Sequence, residues 1–168
     1  MAEVGRIEAL ATLQRLRGEL LALVEQMTLD QLERHGLGGG DWSVKELLGH
    51  LESWEEHVLG ALEAWSRQQT APIHQALSNA GLDAVNAGEI ARKALRTYDE
   101  QLASTLKTRE QLRAAIESMS DAQWSSPPLP GIDETTGQLI GSLLVGTSEP
   151  FTHDAAHLPD LRAALALP

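Results

Sequence analysis

The chain has 168 residues, of which 42% are hydrophobic and 22% are charged. This length suits one hydrophobic core, and the composition is that of a folded globule, not of a disordered chain or a membrane span, so we expect a single domain over residues 1–168. A net charge of -11 argues against nucleic acid and anionic membranes as partners, because both attract clustered Lys and Arg. The absence of cysteine excludes disulfides, thiolate nucleophiles and Cys-ligated zinc. The N-terminal residues lack the apolar run of a signal peptide, which predicts a cytoplasmic protein.

Apolar residues recur at spacings of three and four in several long segments, which predicts amphipathic helices. The first stripe consists of Ile7, Leu10, Leu13, Leu20, Val24 and Met27. The second predicts a helix over about 44–67, and the third consists of Tyr98, Leu102, Leu106, Leu112, Ile116 and Met119. A fourth helix is predicted to begin near Thr136 and to continue towards the end of the chain, with kinks at Pro150 and Pro159.

Helix starts are predicted by capping boxes, in which a Ser or Thr and a Glu or Gln three residues later bond each other's backbone amides. The pairs are Thr28 and Gln31, Ser43 and Glu46, Thr97 and Glu100, Ser120 and Gln123, and Thr135 and Gln138. Between the second and third long helices, Pro72 is predicted to break the chain, and residues 81–95 are predicted to form one shorter helix. No segment alternates in the manner of a strand. The pattern therefore predicts an all-α fold, a four-helix bundle.

Three of the six histidines are candidates for a metal site. His50 borders the apolar face of the second long helix. His153 and His157 are four residues apart, so their rings lie on one side of a helix, and the apolar stripe traced back through Leu139 predicts that this side faces the interior. Three neutral imidazoles with an open position suit Zn²⁺ or Ni²⁺.

Other residues are predicted to surround this site. The acceptors that could orient the imidazoles are Asp154, Glu149 and Glu46, although the capping box already uses Glu46. Trp54, one turn from His50, is expected to form an apolar wall of the pocket, and His57 is expected at its rim. His35 and His74 lie beside turn or helix-breaking residues and are expected to be exposed. In the alternative interpretation, the three histidines are hydrogen-bonded core residues and bind no metal.

Three segments carry a resemblance to a known family: DWSVKELLGHLESWEEH, SMSDAQW and FTHDAAHLPDLRAAL. Together they resemble the DinB-like four-helix-bundle superfamily over most of the chain. The segments THDAAHLPDLR and VNAGEIARK look most like its ClbS/DfsB branch, which is associated with protection against colibactin-type genotoxins. Other relatives include thiol-dependent S-transferases that use bacillithiol or mycothiol, and a maleylpyruvate isomerase.

The resemblance implies an up-down-down-up bundle, often a homodimer, whose metal triad corresponds to His50, His153 and His157. The ClbS/DfsB branch commonly has a tyrosine just before the first histidine of its last helix, where this chain has Phe151 and Thr152. Any activity that depends on a phenol at this position is therefore in doubt.

The leading functional hypothesis is a metal-dependent small-molecule hydrolase or transferase that attacks an electrophile in detoxification or stress protection. One alternative is a non-catalytic bundle that sequesters a hydrophobic or electrophilic ligand. Another is a thiol-dependent S-transferase, which needs basic groups to hold the cofactor carboxylate, and Lys45, Arg92 and Arg96 are the candidates for that role.

Overall fold

A computed structural model of the protein describes residues 4–38 and 41–167. In these residues the structure has nine α-helices and no β-strand, which confirms the all-α prediction. The helices are α1 (Arg6–Val24), α2 (Leu29–Glu33), α3 (Val44–Ser66), α4 (Pro72–Ala80), α5 (Leu82–Lys93), α6 (Tyr98–Ser118), α7 (Asp121–Trp124), α8 (Thr136–Leu143) and α9 (His153–Leu165). None of them is both long enough and apolar enough for a membrane span.

The predicted capping boxes begin five of these helices: α2, α3, α6, α7 and α8. In α3, the Ser43 hydroxyl accepts from the amide of Glu46, and the Glu46 carboxylate accepts from the amide of Ser43. The predicted span of the second long helix, 44–67, exceeds the observed α3 by one residue. These predictions are confirmed. A capping box involves only residues that are three positions apart, so the sequence is sufficient to recognise it.

Four helical columns form the bundle. The first three are α1, α3 and α6, and the fourth is shared by α8 and α9. Helix α3 packs on α6 and also contacts α8 and α9, while α1 packs on α9 and α6. The core has two apolar clusters, one around Trp65 and Ile116 and the other around Leu48 and Leu161.

Four charged side chains also meet inside the bundle, and we call Arg17, Glu55, Arg109 and Asp154 the charged cluster. Arg17 Nε donates to Asp154 Oδ2 at 2.8 Å, and Arg17 Nη2 donates to Glu55 Oε1 at 2.7 Å. Arg109 forms ion pairs with the same two carboxylates. Two cations and two anions from α1, α3, α6 and α9 thus neutralise one another inside the bundle.

The prediction of one long fourth helix is wrong, because α8 ends at Leu143 and α9 begins only at His153. The chain turns sharply in between: Phe151 has a positive φ of 61°, and a Cβ on Gly146 would lie 2.5 Å from the carbonyl oxygen of Thr152. The stripe traced from Leu139 to His153 therefore does not follow one helix. Pro150 lies in the break and not in a kink, and α9 runs through Pro159 to Leu165.

Two further predictions are corrected. Pro72 begins α4 instead of only interrupting the chain, because its fixed φ and missing N–H suit the first turn of a helix. Ile7 and Leu106 were assigned to the inward stripes of their helices, but their exposed fractions are 68% and 44%. Apolar residues at the edge of a stripe remain in water where no neighbouring helix covers them.

Candidate metal centre

His50 is held in the interior by the helix that carries it. The capping box at Ser43 sets the start of α3, and His50 lies two turns further on with an exposed fraction of 5%. Its ring centroid is 4.7 Å from that of Trp42 and 6.4 Å from that of Trp54. The imidazole therefore lies close to two indoles.

His153 and His157 lie on the first turns of α9. The His153 amide donates to the Leu144 carbonyl at 3.1 Å, and the Gly146 amide donates to the Thr152 hydroxyl at 3.2 Å. These bonds join the start of α9 to the end of α8. The break in the fourth column, which the sequence pattern did not predict, thus positions the HxxxH pair.

The structure brings the three histidines together, and we call His50, His153 and His157 the histidine cluster. The Nε2 atoms of His50 and His153 are 3.0 Å apart. The ring centroid of His157 is 5.4 Å from that of His50 and 5.3 Å from that of His153. One nitrogen from each ring can be chosen so that all three lie within 4.8 Å of one another.

This arrangement fits a divalent metal ion. Two nitrogens bound to one zinc at about 2.0–2.1 Å, at a tetrahedral angle, are about 3.3 Å apart. The 3.0 Å separation of the two Nε2 atoms is close to that value. Among the described residues, the buried Nδ1 atom of His50 has no hydrogen-bond partner, so no acceptor fixes which nitrogen of this ring carries the proton.

The environment keeps the imidazoles uncharged at neutral pH. Burial, followed by the proximity of His153 and His157, lowers the pKa of His50 to about 2. Burial and the proximity of His157 lower the pKa of His153 to about 3. Burial also lowers the pKa of His157. Neutral imidazole is the form that coordinates a metal, so no proton has to be displaced at pH 7.

The histidine cluster borders an open cavity of about 650 Å³. The cavity is lined from α3, the α4–α5 pair, the end of α8 with the segment that follows it, and α9. Its apolar walls are formed by Trp42, Trp54, Leu77, Leu82, Leu143 and Val145. A cavity of this size can hold a small organic molecule beside the three rings.

Of the predicted pocket residues, Trp54 lines this cavity, but His57, Asp154 and Glu149 do not. The His57 ring lies beside Trp54, and its Nε2 is 3.6 Å from Glu89 Oε1. Asp154 belongs to the charged cluster, and the Glu149 side chain is exposed.

The predicted orienting acceptors also have other roles. Glu46 accepts from the amide of Ser43, and Asp154 accepts from Arg17 and Arg109. Within the described residues, no hydrogen bond joins Asp154, Glu149 or Glu46 to a ring of the histidine cluster.

The sequence did not predict two of the residues that line the cavity. His74, predicted to be exposed because it follows Pro72, is half-buried and lines the cavity from α4. Asn86 lines it from α5, and its Oδ1 accepts from Trp54 Nε1 at 3.1 Å. Neither residue carries a local signal, because α4 and α5 acquire their place only by packing on α3. His35 is exposed, as predicted.

The three candidate cations for a thiol cofactor are engaged outside the cavity. Lys45 Nζ donates to the carbonyls of Ala94 and Arg96. Arg92 pairs with Glu56 and Glu89. Arg96 pairs with Glu52.

Comparison with known families identifies the class of protein that this fold and site define. The model of the DinB superfamily matches residues 12–158, a span that includes all three members of the histidine cluster. The chain therefore belongs to the DinB superfamily. Neither the search of curated proteins nor the search of solved structures finds a match.

Proposed function

We propose that the protein is a metal-dependent hydrolase or transferase that acts on a small molecule in the cavity beside the histidine cluster. The observation that carries this proposal is the convergence of three uncharged imidazoles, from α3 and α9, at the cavity wall. Zn²⁺ and Ni²⁺ are the ions that such a donor set suits best.

The residues of the site have separable tasks in this proposal. A metal held by three imidazoles with an open position supplies Lewis acidity, which makes water or a thiol a stronger nucleophile near neutral pH. The histidine cluster holds the ion without needing to lose protons. Trp42 and Trp54 cover the rings with apolar surface and limit the access of water to them.

The substrate that we propose is an electrophile, and the biological role is detoxification or stress protection. The likeness of residues 152–162 and 85–93 to the ClbS/DfsB branch supports this role. The thiol-dependent alternative is less well supported, because Lys45, Arg92 and Arg96 are paired away from the cavity.

Metal analysis of protein purified without a histidine tag tests the proposal. We expect about one zinc or nickel ion per chain, and we expect His153→Ala to abolish this binding. His35→Ala is the matched control, because His35 is exposed and lies outside the cluster. A chain that takes up no metal at saturating zinc or nickel would contradict the proposal.

The catalytic part of the proposal needs a separate test. Metal-loaded protein is incubated with a panel of strained-ring and ester electrophiles, and product formation is followed by mass spectrometry. We expect turnover that is lost in His153→Ala and retained in His35→Ala. Binding of the panel without turnover would contradict an enzymatic role.

One observation favours a second candidate function, ligand sequestration without catalysis. The Nε2 atoms of His50 and His153 lie at hydrogen-bond distance, so one ring can donate to the other without any metal. In that case the cavity binds its ligand equally well with and without zinc. The two experiments above separate the candidates.

A further inference from the structure

The cavity beside the histidine cluster is lined without charge. Among the described residues, none that lines it is Asp, Glu, Lys or Arg, although 22% of the chain is charged. Of the charged residues adjacent in sequence to the lining, Asp154 and Glu55 lie in the charged cluster instead. The described part of the wall therefore carries no carboxylate, ammonium or guanidinium group. An ionic ligand would lose hydration there and gain no counter-charge from the protein.

The hydrogen bond with Trp54 determines the orientation of the Asn86 side-chain amide in the cavity wall. An indole N–H can only donate, so the bond from Trp54 Nε1 places the oxygen of the Asn86 amide towards Trp54. The Nδ2 group of Asn86 is then left as a donor. Asn86 is half-buried and lines the cavity, and no hydrogen bond of its Nδ2 is found among the described residues.

We infer that the cavity selects an uncharged, largely apolar small molecule that carries a hydrogen-bond acceptor such as a carbonyl oxygen, and that Asn86 Nδ2 binds this acceptor. The apolar surface comes from the indoles of Trp42 and Trp54 and from leucines of α4, α5 and α8. Asn86 supplies orientation, as a few placed polar groups do in a mostly apolar site. This inference deepens the proposed function by naming its substrate class, and it rests on that function in taking the cavity as the substrate site.

Three probes of similar shape test the inference: N-butylbenzamide, 4-butylbenzoate and butylbenzene. They share a benzene ring and a butyl group, and they present a neutral carbonyl, a carboxylate and no acceptor. Their affinities for metal-free and zinc-loaded protein are measured by tryptophan fluorescence and ligand-observed NMR. In the metal-free protein we expect the amide to bind about three to ten times more tightly than butylbenzene, the range for one net hydrogen bond. We expect the benzoate to bind at least about tenfold more weakly than the amide.

Variants of Asn86 isolate its contribution. Asn86→Leu removes the donor at similar volume and should abolish the preference for the amide over butylbenzene. Asn86→Asp keeps an acceptor for Trp54 but removes the donor, so it should also abolish this preference if the leucine variant does not fold. Asn79→Leu is the control, because Asn79 is exposed on α4 and bonds to Gln75 outside the cavity.

Different results would overturn the role of Asn86, the substrate class or the metal proposal. Equal affinities for the amide and butylbenzene, or an unchanged preference in both Asn86 variants, would overturn the role of Asn86. Benzoate binding as tight as that of the amide in metal-free protein, or no binding by any probe, would overturn the substrate class. Zinc uptake is measured on the same samples, so a chain that binds no zinc but prefers the amide contradicts the metal proposal alone.

Discussion

His153 and Asp154 are neighbours on the first turn of α9, yet they lie in two different buried regions. Asp154 enters the charged cluster, where its carboxylate accepts from Arg17 and Arg109. His153 faces the cavity, where the nearest ring nitrogen is that of His50. The exposed fraction of Asp154 is only 4%, whereas His153 is half-buried.

The two regions differ in how their polar groups are satisfied. In the charged cluster, burial would raise the pKa of Asp154, but Arg17 and Arg109 outweigh it and lower that pKa to about 2. In the histidine cluster, burial is the largest effect and lowers the pKa of His153 and His157, although Asp154 and Asp160 act in the opposite direction, and the rings are neutral at pH 7. Paired charges of opposite sign join the helices to one another, whereas uncharged rings with free lone pairs remain available to a ligand. Four predictions test this distinction, beginning with the largest expected effect.

Asp154→Asn should strongly destabilise the protein. The change leaves Arg17 and Arg109 buried with only Glu55 as a counter-charge, and breaking a buried ion pair in this way typically costs about 3–5 kcal/mol. Urea denaturation measures the free energy of unfolding. Asp30→Asn is the control, because its pair with Arg34 is exposed and should contribute about 1 kcal/mol or less. Equal losses in the two variants would show that the charged cluster has no special structural role.

Zinc should stabilise the protein through the histidine cluster alone. At a free zinc concentration of one hundred times Kd, binding to the folded state adds about 2.7 kcal/mol to the free energy of unfolding. We expect this gain in the wild type and in His35→Ala, and its loss in His153→Ala. Denaturant titration with and without zinc measures it. A gain retained in His153→Ala would place the metal elsewhere.

Acid should destabilise the metal-free protein through the same histidines. Their ordinary pKa is 6.5, and in the folded state it falls to about 2 for His50 and about 3 for His153. The unfolded chain therefore binds more protons than the folded one between these values, and stability falls as the pH drops from about 6.5 towards 3. The loss reaches about 1.4 kcal/mol per pH unit for each histidine.

His153→Gln measures this effect because glutamine does not titrate. The plot of unfolding free energy against pH should be shallower for this variant between pH 6 and 4. The two slopes should differ by up to about 1.4 kcal/mol per pH unit, which corresponds to one proton. The charged cluster is present in both proteins, so its own titration largely cancels from the difference. Identical slopes would show that folding does not lower the pKa of His153.

Ser43→Ala should have the smallest effect. The loss of the α3 cap should cost about 1 kcal/mol of stability. Zinc affinity, measured by competition with a chelator, should not change, because His50 lies two turns away from the cap. A large loss of zinc affinity would show that the start of α3 controls the position of the His50 ring.

The sequence predictions were accurate where the interacting residues are close together in the chain, and less accurate where they are far apart. Capping boxes join residues three apart, and all five were predicted correctly. The HxxxH pair is set by helix geometry, and its meeting with His50 was predicted from the apolar stripe of α3 and from the family resemblance. The predicted route through one continuous helix was wrong, because the pattern did not reveal the turn around Gly146.

The sequence alone determined the three long helices α1, α3 and α6, the five capped helix starts and the HxxxH pair on one side of a helix. These features depend on local hydrogen bonds and on the 3.6-residue period of the helix. Only the tertiary structure decided that His153 faces the cavity while Asp154 joins the charged cluster, and that His74 and Asn86 become cavity walls. Those outcomes depend on contacts between residues far apart in the chain, such as Arg17 with Asp154 and Trp54 with Asn86. No periodicity within a single helix specifies which distant side chain will lie against it.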